Sequence, residues 1–413
     1  MSTGPPPLPS VPPPEEAAET GTLAARISLS QKAGGVAVPV ATVVLAFLIG
    51  GLVVLATGHN PLLAYRDIFN GAGLNWIFHP TLSTQNIAAY NLTQTLILTT
   101  TLILTGLAVA FAFRCGMFNI GGHGQYFVGI AVANWLGVSL AGMSTLPHVL
   151  IAIAGATLAG AAWAGIAGVL KALNGANEVI VTIMLNYTAL YFLVWVFGDG
   201  GPLQNTAPGG ATNPVSNPVA HSAQLPVIWG TQGFQGLDIG FFIAIAALFV
   251  FWALINRTTL GYEVRAVGFN PDAAAYAGIN VKKNLIRAMA ISGAFAGLAG
   301  GIDMLGYLYQ YGSLDVPVSQ VGFLGIGVAL LGRNSAVGVF FSALLFAALL
   351  EGTTFGLTGN VIQPELATWL TYVILGLIVL FVGAELLIVY AWTTGRKLGR
   401  RRPEQASTAK AAA

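Results

Sequence analysis

Long runs of apolar residues, separated by short polar segments, dominate the chain from about residue 36 onward. Most have the length of a helix that crosses the hydrocarbon core of a bilayer. The pattern therefore predicts an all-α polytopic membrane protein with about ten transmembrane or broken helices. The predicted spans are 36–57, 89–113, 125–142, 148–170, 179–197, 239–255, 287–306, 321–332, 336–351 and 367–392.

Two of these runs differ from ordinary spans. The run 321–332 is too short to cross a bilayer, and the start of the run 125–142 is rich in glycine. Backbone that is not helical at membrane depth must line a cavity or be covered by protein. We therefore expect broken or re-entrant helices at both places.

Composition supports a membrane protein and limits the kinds of partner and site that it can have. Of the 413 residues, 55% are hydrophobic and 8% are charged, whereas soluble domains carry about a quarter charged residues. The net charge of +2 argues against a nucleic-acid partner. Cys115 is the single cysteine, which excludes a disulfide framework and a cysteine-based metal site.

The polar segments divide the chain into tails, a membrane domain and two long loops. Residues 1–34 are Pro-rich and acidic, which predicts a disordered cytoplasmic tail rather than a signal peptide. Residues 35–393 form the predicted transmembrane domain, and 394–413 form a basic cytoplasmic tail. Within the membrane domain, the loop 198–238 contains no Lys or Arg and is predicted to be external, whereas 256–287 is predicted to be cytoplasmic.

The basic residues set the orientation. If both termini are cytoplasmic, 16 of the 17 Lys and Arg residues fall on the cytoplasmic side and Arg66 alone falls outside. This is the distribution that the positive-inside rule demands. Adding or removing one span would scatter the basic residues over both sides.

The cytoplasmic segment 256–287 contains a short helix with signals at both ends. Asn270 and Pro271 suit a helix start, because an Asn side chain caps free N–H groups and Pro fits the first helical position. Gly278 suits the stop. A helix of about two turns is not stable alone in water, so it must dock on a neighbouring surface. The alternative is an ordinary capped loop helix.

Four stretches of the sequence resemble one family. The stretch Gly261–Val281, with RAVGFNPDAAAYAGINV at its centre, is similar to the coupling loop of the bacterial ABC-importer permeases for branched-chain amino acids, simple sugars and nucleosides. Residues 116–125, 177–187 and 325–334 resemble the nucleoside (and simple-sugar-like) branch of that family. His123 departs from that branch, which more often has an acidic residue there.

The resemblance implies a permease subunit of an importer in the bacterial inner membrane. Its implied partners are a cytoplasmic ABC ATPase, a second related permease, and an extracellular or periplasmic substrate-binding lipoprotein. ATP-Mg is implied on the ATPase, with no cofactor on this chain. The residues implied in ATPase coupling are Gly261, Arg265, Gly268, Asn270, Pro271, Ala274 and Gly278.

Uncharged polar and aromatic side chains inside or beside the predicted spans are candidates for the substrate path. A nucleoside path needs amide, hydroxyl and aromatic groups and has little need of charge. These residues are Phe118, Asn119, Gln125, Asn186 and Tyr187. The alternative is that the amides bond neighbouring backbone at a tight helix crossing. Asp303 is an acid inside the seventh predicted span, and a structural pair with a neighbouring helix is the favoured interpretation.

Missing motifs limit the remaining functions. The sequence contains no Gly-Lys dipeptide, so it has no P-loop, and it has no catalytic constellation of an enzyme. A simple-sugar permease of the same family is the nearest alternative. An ion-coupled secondary transporter or channel is a different class, and Asp303 alone is a convincing deep acid to support it.

Overall fold

The structure is a computed structural model that describes residues 39–81, 83, 86–206, 214–230, 236–316, 320–357 and 364–383. The predicted tails 1–34 and 394–413 lie outside the described residues. The chain divides into two compact units, of which one comprises residues 1–47 and 381–413 and the other comprises 48–380. The described residues of the first unit are the start of α1 and the last turn of α13.

All ten predicted spans coincide with helices, which confirms the all-α membrane fold. The helices are α1 (Pro39–Ala56), α2 (Pro61–Gly71), α3 (Ile87–Arg114), α4 (Gly122–Ser139), α5 (Thr145–Asn174), α6 (Glu178–Phe197), α7 (Gly240–Arg257), α8 (Thr259–Phe269), α9 (Pro271–Tyr276), α10 (Val281–Asp303), α11 (Val321–Leu331), α12 (Ala336–Gly356) and α13 (Pro364–Gly383). Among the described residues, seven helices are long and apolar enough to cross a membrane: α1, α3, α5, α6, α7, α10 with its extension to Leu308, and α12.

The structure differs from the sequence prediction in two respects, namely two additional helices and the start of α10. The structure adds α2 and α8, which are not spans and which an apolar-run criterion does not detect. It also starts α10 at Val281 rather than at 287, because Asn280 caps the helix by accepting from the Lys283 N–H at 2.9 Å. The basic residues that follow Asn280 therefore lie in the first turns of α10 instead of in a loop.

Both expected irregular segments are present. α11 has 11 residues, and at 1.5 Å per residue it spans about half of a bilayer core. α3 and α4 are separated by residues 115–121, which are not helical. These two interruptions confirm the broken helices that glycine content and run length predict.

Close backbone contacts hold the central helices of the larger unit together. A Cβ on Gly160 of α5 would lie 2.6 Å from the Gly297 Cα of α10, and one on Gly129 of α4 would lie 2.9 Å from the same atom. Small residues let helices in lipid approach closely, and van der Waals contact then stabilises their packing. α3, which is almost entirely buried, packs against α10, α11 and α12.

The helix ends that carry most of the basic residues come together in the structure. We call this the basic end, defined by Arg114, Lys171, Arg257 and Arg333. The Arg114 guanidinium donates two hydrogen bonds, at 3.0 and 2.7 Å, to the Asn334 carbonyl oxygen, so the turn after α3 contacts the turn after α11. Lys171 pairs with Glu178 at 2.8 Å.

The loop 198–238 packs at the opposite end. Its Ala220 N–H donates to the Gly137 carbonyl at the end of α4, and its Leu225 N–H donates to the Leu305 carbonyl at the end of α10. The loop contains a short antiparallel pair, β1 (Val227–Trp229) and β2 (Leu237–Asp238), in which Val227 faces Asp238. The structure thus separates the basic end from the loop that lacks Lys and Arg.

Candidate functional site: the segment 256–287 and the break before α4

The short helix α9 begins and ends as its sequence signals predict. The Asn270 side chain accepts from the Asp272 and Ala273 N–H groups, each at 3.0 Å, and Pro271 is the first helical residue. Gly278 follows the helix with φ of 82°, a conformation that favours glycine. The capped helix at the basic end is therefore confirmed.

α8 connects α7 to α9 and folds back on the end of α7. Arg265 donates to the Ile255 carbonyl at 2.6 Å, which satisfies one of the free carbonyls at the α7 C-terminus. Gly261 packs so closely that a Cβ there would collide with the Leu254 carbonyl oxygen. Glu263 accepts from Asn284 at 2.9 Å and so ties α8 to α10. Arg265 and Gly261 thus fix α8 within the subunit.

Gly268 makes the contact between this segment and the break before α4. Its Cα lies against Gly116, which has φ of 72°, and a Cβ on Gly268 would collide with the Arg114 carbonyl oxygen. The same Cβ would lie 3.0 Å from the Gly116 nitrogen. A displacement of α8 would therefore act directly on the backbone that leads into α4, since neither glycine has a side chain to absorb it.

The predicted coupling residues differ in accessibility. Ala274 is buried against the chain itself, so its side chain is not available to a partner. Two aromatic residues that sequence reasoning missed are almost fully exposed, namely Phe269 at 91% and Tyr276 at 95%. Large exposed aromatic side chains on a short helix mark an interaction surface more often than a packing role. Their position beside the helix caps was the signal available in the sequence.

Three polar side chains cross-link the break before α4. The Asn119 Nδ2 donates to Gln125 Oε1 at 2.9 Å and to Ser292 Oγ at 2.7 Å. Gln125 Nε2 donates back to Asn119 Oδ1 at 3.0 Å, and the same oxygen accepts from the Gly121 N–H at 2.8 Å. All three side chains are buried. They satisfy one another and the broken backbone, as the alternative interpretation of these amides expects.

The Asn186 side chain, on α6, also forms hydrogen bonds with backbone groups at the break before α4. Its Oδ1 accepts from the Gly124 N–H at 2.8 Å, and its Nδ2 donates to the Ile120 carbonyl at 2.9 Å. Asn186 lies about 12 Å along α6 from Glu178 at the basic end, which is close to mid-membrane depth. The backbone around Ile120 therefore reaches deep into the membrane region, where each unpaired polar group would be costly.

The remaining predicted path residues are more accessible. Phe118 is half-buried and packs on Phe113, with ring centroids 4.9 Å apart. Tyr187 is 56% exposed on a face of α6 that is directed away from the subunit. The structure thus brings Asn119, Gln125 and Asn186 together inside the subunit and leaves Tyr187 on its surface. A direct substrate contact remains a prediction for all five residues.

His123, the second residue of α4, is buried between aromatic rings. Its ring centroid lies 4.3 Å from that of Phe127 and 4.6 Å from that of Phe323, onto which it stacks. Within the described part of the chain, its Nδ1 has no hydrogen-bond partner. The imidazole therefore acts as an aromatic packing group between α4 and α11 in this conformation.

Asp303 joins three helices, which confirms the structural pair expected for this acid. The Thr101 hydroxyl of α3 donates to Oδ1 at 2.6 Å, and the Tyr126 hydroxyl of α4 donates to Oδ2 at 2.7 Å. The carboxyl group is buried, and its two hydrogen bonds come from neutral donors. The arrangement fits an interhelical lock, and Asp238 is a second buried acid among the described residues.

We expect Asp303→Leu to destabilise the protein, because it leaves two buried hydroxyls unpaired at about 1–3 kcal/mol each. Asp303→Asn keeps one acceptor and should cost less. The triple variant Thr101→Val, Tyr126→Phe, Asp303→Leu removes all the partners together and should recover most of the loss. Thermal denaturation in detergent measures each value, and equal stability of Asp303→Leu and wild type would contradict the lock.

Comparison with known proteins decides the family. The family described as "Branched-chain amino acid transport system / permease component" matches residues 91–383. The chain belongs to this family. It is accordingly a multi-pass permease subunit of a bacterial inner membrane, with the membrane helices described above.

Three curated relatives match the permease over most of its length. The guanosine ABC transporter permease protein NupP of Bacillus subtilis is 36% identical, covering 88% of this chain and 97% of NupP. The nucleoside ABC transporter permease protein NupB of Lactococcus lactis is 35% identical, covering 87% of this chain and 94% of NupB. The glucose ABC transporter permease protein TsgB13 of Haloferax volcanii is 34% identical, covering 76% of this chain and 79% of TsgB13.

Proposed function

We propose that the permease forms the translocation path for nucleosides in an ATP-binding-cassette importer. The observation that carries this proposal is the match to two relatives named for guanosine and nucleoside transport, each over most of both chains. In the proposed complex, a cytoplasmic ABC ATPase binds ATP-Mg and a second related permease completes the path. An extracellular or periplasmic substrate-binding lipoprotein delivers the nucleoside.

The exposed face of α6 suits the proposed path. The face consists of Ile180, Met184, Tyr187, Thr188, Tyr191 and Trp195. Tyr187 lies about 14 Å along the helix from Glu178, near mid-membrane depth. Tyrosine is favoured at the membrane interfaces, and a hydroxyl that faced lipid at this depth would lack a partner. We therefore place this face against the path and the second permease.

The chemistry of this face fits a neutral substrate. Its rings can stack on a nucleobase, and the hydroxyls of Tyr187, Thr188 and Tyr191 can bond to polar atoms of the base or the ribose. None of its side chains carries a charge. An anionic nucleotide would find no counter-charge there, whereas a nucleoside needs none.

The ATPase is proposed to bind at α8 and α9. Phe269 and Tyr276 supply the exposed aromatic anchors, while the buried Ala274 and the caps of α9 hold the helix in place. Motion of the ATPase would pass through Gly268 to Gly116 and so to the break before α4. This assigns Asn270, Pro271 and Gly278 to the shape of the segment rather than to direct contact.

A simple-sugar permease is the second candidate, because the glucose permease TsgB13 covers three quarters of the chain at similar identity. The two candidate substrates differ in the nucleobase, which a nucleoside carries and a simple sugar lacks. A sugar path could use the same hydroxyls but would not require a flat aromatic partner.

Uptake into vesicles that hold the assembled complex and its binding protein tests the substrate. We expect ATP-dependent uptake of labelled guanosine or uridine, blocked by excess unlabelled nucleoside and not by free ribose. ADP in place of ATP is the control. Competition by ribose or glucose at equal potency, with no effect of nucleosides, would assign the permease to sugars.

Single-cysteine labelling tests the orientation. The native Cys115 is first replaced by Ala, so that each variant carries one cysteine. A membrane-impermeant maleimide added outside intact cells should label Ile228→Cys in the loop 198–238. Ala273→Cys in α9 should react after permeabilisation alone. Labelling of Ala273→Cys in intact cells would reverse the orientation.

A further inference from the structure

A polar cleft lies at the end of the helices opposite Arg114 and Arg333, away from the break before α4. Its volume is about 640 Å³. The walls come from α2, the short 3-10 turn Leu74–Phe78, the start of α3 and the end of α12. Under the proposed orientation, this cleft opens to the outside.

Asn91 of this cleft differs from the other buried asparagines of the described part. Asn119, Asn134, Asn186 and Asn284 all make side-chain hydrogen bonds. Asn91 is 5% exposed, and its amide makes no hydrogen bond within the described residues. The Asn75 Oδ1 is likewise buried without a partner. The Oδ1 atoms of Asn134 and Asn284 are also without a partner, so the distinguishing group is the Asn91 amide, which lines the cleft and makes no hydrogen bond with the described residues. Such an amide is available to bond a ligand in the cleft.

The walls of the cleft are held in place by other contacts. Asn86 caps α3 by accepting from the Ala88 N–H at 2.9 Å. Gly71 of α2 packs on the backbone of Gly352 and Gly356 in α12, where a Cβ would collide. Asn75 and Asn91 are therefore carried on elements that are fixed independently of their own amides, which is the pre-organisation that a binding site requires.

The lining identifies the class of ligand. Asp67 is the acidic side chain of the cleft, and its negative charge disfavours phosphorylated ligands. Its ion pair with Arg66, at 3.4 Å, is weak because the Arg66 side chain is largely exposed to solvent. A carboxylate accepts hydrogen bonds from vicinal hydroxyls such as those of ribose. Phe355 presents a partly exposed ring that Tyr90 supports edge-on, with centroids 6.0 Å apart. Amides, a hydroxyl acceptor and an aromatic face together match a nucleoside.

We propose that this cleft is a second, outward-facing nucleoside site, separate from the α6 face, lined by Asp67, Asn75, Asn91 and Phe355. The proposal rests on nucleosides being the transported substrate. Such a site would hold substrate at the outer surface of the permease between its release by the binding protein and its passage along the path.

Equilibrium binding of labelled adenosine to the assembled complex in nanodiscs, without the binding protein, tests the site. We expect Asn91→Leu and Asp67→Asn each to weaken this binding about tenfold, the loss of one hydrogen bond. Adenosine monophosphate should bind more weakly than adenosine to wild type, and Asp67→Asn should reduce that difference. Asn174→Leu, an exposed asparagine at the basic end, is the matched control and should bind like wild type.

Thermal stability without ligand separates a binding role from a structural one. Because the Asn91 amide makes no hydrogen bond, Asn91→Leu should unfold at the wild-type temperature or above it while losing affinity. A lower unfolding temperature would show that the amide is structural and would overturn the proposal. So would unchanged adenosine binding in both variants, or equal binding of free ribose. Absence of nucleoside uptake by the wild-type complex would instead refute the proposed function.

Discussion

Replacing Gly268 by Val is expected to lower ATP-driven uptake at least about tenfold, because the new side chain must displace α8 from the turn that leads into α4. The Cβ alone would collide with the Arg114 carbonyl oxygen, and the branched methyl groups would extend the clash to Gly116. ATP hydrolysis by the complex should persist, since Phe269 and Tyr276 remain exposed for docking. The measurement is uptake per ATP hydrolysed in reconstituted vesicles.

Gly278→Ala is the matched control within the same segment. Gly278 has φ of 82° but no atom within 4 Å of a Cβ, so alanine there adds backbone strain of about 1 kcal/mol without pushing on a neighbour. Gly268→Ala tests the opposite case, because its Cβ would clash with neighbouring backbone while the φ of Gly268 is not positive. If uptake per ATP is lost equally in the two alanine variants, the loss reflects local strain, and the contact between Gly268 and Gly116 does not transmit the motion.

The sequence predicted those features that depend on local chemistry. Helix α9 was predictable because Asn270, Pro271 and Gly278 each act on the backbone within one turn. The membrane helices were predictable because their burial in lipid requires apolar runs of fixed length. The separation of the basic end from the loop 198–238 follows from the distribution of Lys and Arg.

Features that depend on contacts between distant residues were not predictable. Sequence position alone cannot show that Asn119 faces Ser292, 173 positions away, or that Gly268 contacts Gly116. The same polar amide is a path residue or a structural cross-link according to its partner. A search for long apolar runs does not detect α2, because this helix is amphipathic and short. The cleft beside α2 was therefore not predictable from the sequence either.

Asn186→Leu is expected to reduce the amount of folded permease in the membrane. The substitution leaves the Gly124 N–H and the Ile120 carbonyl unpaired near mid-membrane depth, at a cost of about 1–3 kcal/mol for each group. Asn186→Asp keeps the acceptor for the Gly124 N–H and should be intermediate. Thermal unfolding of the purified complex measures the loss, and uptake should fall in proportion to the folded fraction.

Tyr187→Leu separates the path from this cross-link, because Asn186 is buried and its neighbour Tyr187, about 100° further round α6, is exposed. Tyr187 is exposed and makes no hydrogen bond within the described residues, so stability should remain within about 0.5 kcal/mol of wild type. Uptake per folded complex should nevertheless fall about tenfold through loss of the ring and hydroxyl. Tyr187→Phe retains the ring and should lose less. Wild-type uptake by Tyr187→Leu would mean that this face of α6 borders lipid, and the path would then have to lie elsewhere on the subunit.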